Sequence, residues 1–118
     1  MHRYKELKVW QKSRELVKEI YLATQDFPKT EDYGITSQIR RSAVSIPANL
    51  AEGCGRNTNN ELNRFCDIAE GSAFELETLL ILSNDIGNLN NESLKNLILK
   101  MDEVQRMIFS FKKQLSIS

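Results

Sequence analysis

IRRSAVSIPANLAEGCGR, residues 39–56, decides the fold: its apolar residues recur at helical spacing although a proline stands in the middle. Ile39, Ala43, Ile46 and Leu50 share one face of a helix. Pro47 cannot donate to the Ala43 carbonyl and its ring crowds that carbonyl, at about 3 kcal/mol in a regular helix. Ala43 is small, and Ser42 or Ser45 can help satisfy the strained turn, so the reading is a helix kinked at Pro47. Ile35 extends the same face upstream, which sets this second helix from about Thr30 to Gly53. Gly53 and Gly55 are expected to end it, because glycine takes the left-handed conformation without steric cost.

The flanking sequence repeats the pattern. From Leu7 to Thr24, Trp10, Leu16, Val17, Ile20 and Tyr21 recur at helical spacing until Phe27-Pro28 stops the run. Thr58-Asn59-Asn60-Glu61 reads as a capping box and opens a third helix, which ends near Gly87. Asn90 or Asn91 can cap a fourth helix, whose seam is Leu94, Leu97, Ile98, Met101, Val104, Ile108, Phe111 and Leu115. Four segments of about 20–28 residues with short connections predict an all-α, antiparallel up-down-up-down four-helix bundle. Residues 1–118 form a single domain in this reading.

Composition narrows the functional classes. Sixteen basic residues balance sixteen acidic ones, so the whole molecule has no net pull on nucleic acid or anionic lipid. Cys54 and Cys66 have no zinc-ligand spacing and the one histidine is His2, which argues against a metal or cofactor site. No phosphate-binding loop, GxSxG or HExxH is present, and without an internal histidine no Ser-His or Cys-His pair can form, so no enzyme is expected. The chain has neither a signal-like start nor a membrane-length apolar run, and a cytoplasmic location with reduced thiols is expected.

Charge is unevenly placed. Residues 1–20 hold six Lys or Arg against three Glu, and residues 95–113 hold five bases against two acids. Residues 61–92 hold seven acids against Arg64 alone. With Arg40, Arg41 and Arg56, Arg64 makes a set of candidate contacts to nucleic-acid phosphates or to another subunit. Helix three carries a second apolar stripe, Phe65, Ile68, Ser72, Glu75, Leu79, Leu82 and Ile86, which is either a broad core face or a contact with another subunit. Glu75 lies inside it and needs a partner if buried, Arg40 or Arg41 being available. On helix two, Gln38, Ser42, Ser45, Asn49 and Glu52 form a polar stripe, read either as solvated or as a contact surface. Gln38, Ser45, Asn49, Glu52 and Glu75 are therefore the candidate subunit-interface residues.

YGITSQIRRSAVSIPANLAEGCGR, then EGSAFELETLL and the opening YKELKVWQKSRELVKEIY, together resemble a known family across nearly the whole chain. These are the bacterial four-helix-bundle proteins encoded in intervening sequences of 23S ribosomal RNA genes, related to the accessory variability determinant proteins of diversity-generating retroelements. Matching positions are Ser37, Gln38, Arg40, Arg41, Ser45, Pro47, Asn49, Glu52 and Gly53, then Gly71, Ser72, Glu75, Leu76 and Glu77. The resemblance implies a ring-like homo-pentamer, and no membrane partner is expected because no membrane-length apolar run is present. For the retroelement relatives it further implies binding of RNA or DNA and, in that context alone, a reverse transcriptase. Glu70, Phe74 and the neutral total charge depart from the pattern and bear on phosphate binding rather than on fold. Two readings follow: a homo-oligomeric nucleic-acid-binding accessory factor, or an oligomeric protein–protein scaffold. In both, Pro47 bends helix two so that its polar stripe and arginines face a neighbouring subunit, with Glu75 as counter-charge.

Overall fold

A computed structural model describes residues 2–117. Four α-helices carry the chain: α1 (Lys8–Thr24), α2 (Ile35–Cys54), α3 (Asn59–Asp85) and α4 (Asn91–Ile117). Two short 3-10 turns, Tyr4–Glu6 and Lys29–Glu31, precede α1 and α2, and no strand occurs among the described residues. Each helix packs on its neighbour in sequence, and α1 closes the ring against α4. This is the expected four-helix bundle, drawn out to 46 × 24 × 20 Å. At about 1.5 Å per residue, α3 and α4, each 27 residues, span most of the long axis.

The core is built from the predicted seams. Leu16 and Ile20 of α1 meet Ile39, Ile46 and Leu50 of α2, Leu76 and Leu80 of α3, and Met101 and Ile108 of α4, all fully buried. Phe27, just past α1, is buried and plugs the bundle end beside Leu89. Buried serines cost little here, because Ser13, Ser42 and Ser83 donate to carbonyls of their own helices.

Several boundaries differ from expectation. Helix two starts at Ile35 rather than Thr30, since Lys29–Glu31 close a 3-10 turn and Gly34 leaves the helical region at φ −113°, ψ −119°. Gly53 does not cap α2: it lies inside the helix, and Gly55 at the cap has φ −84°, an ordinary right-handed value. What Gly53 provides is closeness. A Cβ there would sit 2.8 Å from Leu62 Cδ1 and 2.8 Å from Phe65 Cβ, so α2 and α3 touch where only hydrogen fits. The left-handed glycine is Gly87, φ 86°, which ends α3. Gly87 N donates to Asn84 O and Asn88 N to Ser83 O, the paired bonds of a Schellman turn.

Helix starts are capped as the sequence suggests. Thr58 Oγ1 accepts from Glu61 N at 3.1 Å, and Asn90 Oδ1 accepts from Ser93 N at 2.8 Å. α2 continues unbroken through Pro47. Neither neighbouring serine serves the Ala43 carbonyl: Ser42 Oγ donates to Ile39 O, and Ser45 Oγ pairs with Ser72 Oγ.

Candidate functional site

Residues 40 and 41 are adjacent in sequence but about 100° apart around the helix, and that rotation separates their roles. Arg40 turns toward α1. Its Nε donates to Thr24 Oγ1 at 3.1 Å, and its guanidinium lies 4.6 Å from the Tyr21 ring centroid. Thr24 is buried and donates onward to Ile20 O at 2.8 Å, so the arginine head is fixed by a fixed partner. Arg41 is exposed and has no ion pair among the described residues.

Toward α3, Arg41 lines an open groove with Gln38, Ser42, Ser45, Ser72 and Glu75. The groove floor is hydrogen-bonded within the chain. Ser45 Oγ and Ser72 Oγ are 2.8 Å apart, and Asn49 Nδ2 donates to both Ser45 O and Ser45 Oγ at 2.8 Å. Ser45 and Asn49, read from sequence as facing a neighbour, thus use their hydrogen bonds along the α2–α3 seam. Glu75 is exposed rather than buried and makes no ion pair with Arg40 or Arg41. Within one chain it costs no desolvation and pairs with neither arginine; the expected counter-charge role is toward a neighbouring subunit. Opposite charges therefore line one groove without pairing.

The apolar stripe that holds Glu75 runs along α3 on either side of it. The second stripe divides: Leu79 is buried and Phe65 half-buried, whereas Ile68 is 42% exposed, Leu82 45% and Ile86 60%. Val44 of α2, 42% exposed, was not singled out from sequence. Its signal was available, since it sits one turn beyond Arg40 and Arg41 as an isolated valine beside polar positions.

The other arginines do not join a common patch. Arg56 pairs with Glu52 at 3.1 Å and stacks 4.9 Å from the Phe65 centroid, which also accounts for Glu52. Arg64 is exposed on α3. The basic stripes of α1 and α4 are partly cancelled: Lys12 pairs with Glu15 and Glu103, Lys100 with Glu19, and Lys112 with Asp67 and Glu70. Hydrogen bonding to Asp67 above all holds the Lys112 amine above its usual range, against a smaller opposing effect of burial.

On the outer side of α1, Lys5, Arg14 and Lys18 line a depression with Trp10, Gln11 and the one carboxylate Glu15, which Lys12 also approaches. Arg14 lies 5.6 Å from the Trp10 centroid, Lys5 lies 6.0 Å from that of Tyr4, and the two rings meet edge-on at 5.1 Å. Burial raises both thiols, Cys66 to about 12. Among the described residues no group of three or more His, Cys, Asp or Glu is placed to hold a metal ion. No described helix is long and apolar enough to cross a membrane.

Comparison with known proteins agrees with this architecture. Residues 5–110 match the family model described as 23S rRNA-intervening sequence protein. A solved structure of a protein of unknown function from the S23 ribosomal protein family of Bacteroides thetaiotaomicron superposes with a TM-score of 0.79. The match has 24% identity and covers 89% of this chain and 98% of that one, and it speaks to fold alone. No curated protein matches.

Proposed function

Since the chain belongs to the 23S rRNA-intervening sequence protein family, we propose that it is a homo-oligomeric helical bundle that works by protein–protein contact. The observation that carries this reading is the α2–α3 face, where Arg41 and Glu75 line one groove unpaired and exposed Ile68, Leu82 and Ile86 continue the stripe of α3 that holds Glu75. An exposed apolar stripe with charged groups of both signs along it suits a protein interface, where apolar area is buried and complementary charges set the register. A second copy supplies both signs at once, Glu75 to Arg41 and Arg41 to Glu75. The pentamer implied by the sequence resemblance is the assembly proposed. We assign the chain no catalytic chemistry, and a reducing, cytoplasmic location suits its two unpaired buried thiols.

Sedimentation velocity at micromolar concentration tests the assembly. The wild-type chain should sediment as an oligomer and Leu82→Glu as a monomer with unchanged helix content. A monomeric wild type, or a Leu82→Glu variant that keeps the wild-type mass, would remove the basis of the proposal.

One observation favours a second reading, an accessory nucleic-acid-binding role. Lys5, Arg14 and Lys18 carry no ion pair among the described residues and line a depression with Trp10 against the single carboxylate Glu15, so cation and ring are offered together on α1. Such binding must weaken steeply with salt, in RNA and DNA gel shifts alike. Absence of any shift at low salt ends that reading and leaves the scaffold.

A further inference from the structure

On the other flank of α2 a second open groove runs toward α1, lined by Tyr21, Asp32, Thr36, Ser37, Arg40 and Arg41 among others. Its fixed point is Arg40. Thr24 occupies the Nε donor and Tyr21 covers a face of the guanidinium, while the terminal Nη donors have no acceptor among the described residues. An arginine held this way has lost its side-chain freedom before any ligand arrives, yet keeps the edge that forks onto an oxyanion. Arg41, exposed, adds a second charge at the same groove.

Two further observations concern donors. Thr36 is 2% exposed and its Oγ1 has no hydrogen-bond partner, although a buried hydroxyl is ordinarily satisfied. It belongs, with Ser37, to the first turn of the 20-residue helix α2, where backbone N–H groups lack intrahelical acceptors and Gly34 offers no capping side chain. Donors therefore outnumber acceptors along this groove. The exception is Asp32, an exposed carboxylate with no ion pair, which leaves two guanidinium charges against one negative charge.

We propose that this groove binds a small phosphate monoester. Arg40 Nη and Arg41 hold the phosphate oxygens, Ser37 and the first turn of α2 add donors, and rotation about χ1 brings the Thr36 hydroxyl to the ligand. Asp32 would repel an extended polyanion and accept from a hydroxyl, so a hydroxylated phosphate such as a sugar phosphate fits better than a phosphodiester chain. The site does not depend on the assembly reading, although Arg41 borders both grooves.

Calorimetric titration of the full chain at low ionic strength tests it, using inorganic phosphate, ribose 5-phosphate, ribose and acetate as separate probes. Saturable binding of phosphate is expected, tighter for ribose 5-phosphate and absent for ribose. Arg40→Lys keeps the charge but loses the fork and the stack, and should weaken ribose 5-phosphate about tenfold or more. Asp32→Asn should tighten inorganic phosphate and reduce the advantage of the sugar phosphate. Lys95→Ala removes an equal charge from the exposed surface of α4 and should change nothing. No saturable heat with either phosphate, acetate binding as tightly as phosphate, or equal losses in Arg40→Lys and Lys95→Ala would each overturn the proposal. Circular dichroism and sedimentation in the same buffer separate loss of the site from loss of fold or assembly.

Discussion

Replacing Gly53 and Gly71 by alanine, one at a time, puts one chemical change into two helix interiors with opposite expected signs. Propensity alone favours alanine over glycine in a helix by about 1 kcal/mol. Gly71 is exposed on α3 with nothing within 4 Å of a new Cβ, so Gly71→Ala should stabilise by nearly that amount. At Gly53 the methyl would meet Leu62 Cδ1 and Phe65 Cβ, each at 2.8 Å, and the Leu62 carbonyl oxygen at 3.3 Å. The Leu62 methyl can swing away. Phe65 Cβ is fixed to the backbone, so α2 and α3 must part locally. Overpacking a close-packed seam costs about 1–3 kcal/mol, and contact with a Cβ belongs at the upper end. After subtracting the propensity gain, Gly53→Ala should lose about 2 kcal/mol, leaving the variants roughly 3 kcal/mol apart. Urea unfolding followed by circular dichroism measures this, at one protein concentration because assembly would add to apparent stability. A Gly53→Ala midpoint at or above wild type would refute the claim that this glycine is kept for closeness. A fall in Gly71→Ala would show that the Gly71 surface is occupied.

Two further perturbations address charge and thiols. Because the folded pKa of Lys112 is raised above the ordinary lysine value of 10.5, its contribution is complete below that pH and is lost as pH rises through the folded value. Wild type and Lys112→Met should therefore differ by a constant stability across neutral pH and converge only above about pH 10.5; convergence between about pH 7 and 9 would show that the Asp67–Lys112–Glu70 cluster contributes nothing. Cys66, pushed up to about 12 mainly by burial with Cys54 adding, and Cys54, raised likewise by burial, should resist alkylation at mildly alkaline pH until the chain unfolds. Labelling of either native thiol at the rate of a free cysteine would contradict their placement.

The bundle was legible because its core obeys one period: every buried position of α4 from Leu97 to Leu115 lies on the predicted seam. The site was legible only in part, and the reasons are local. Periodicity places a residue around a helix axis but does not say which flank a partner covers, so it does not show that Arg40 is held against α1 while Arg41 borders the α3 groove as well. The stripe that holds Glu75 could be a broad core face or an outer contact, and periodicity does not choose; Phe65, Ser72 and Leu79 turn inward while Ile68, Glu75, Leu82 and Ile86 stay exposed. Gly53 looked like a helix stop because sequence shows that glycine is present without showing whether conformation or space requires it. Ser45 pairs with Ser72, 27 residues away, a contact no local pattern reveals.

The Gly53 contact has a consequence for how the molecule comes together. The α2–α3 seam joins consecutive helices through residues 55–58, so closing it costs little chain entropy. The α1–α4 seam joins residues as distant as Glu19 and Lys100, 81 positions apart, and its ion pairs lie in solvent. The α2–α3 hairpin can therefore form without the α1–α4 seam, which is the seam expected to open first and which native-state hydrogen exchange would rank. A molecule that has let α1 or α4 loosen still presents the Arg41–Glu75 groove intact. Recognition on that face can therefore begin before folding is complete, and a loosened outer helix is free to close on a neighbouring copy as readily as on its own.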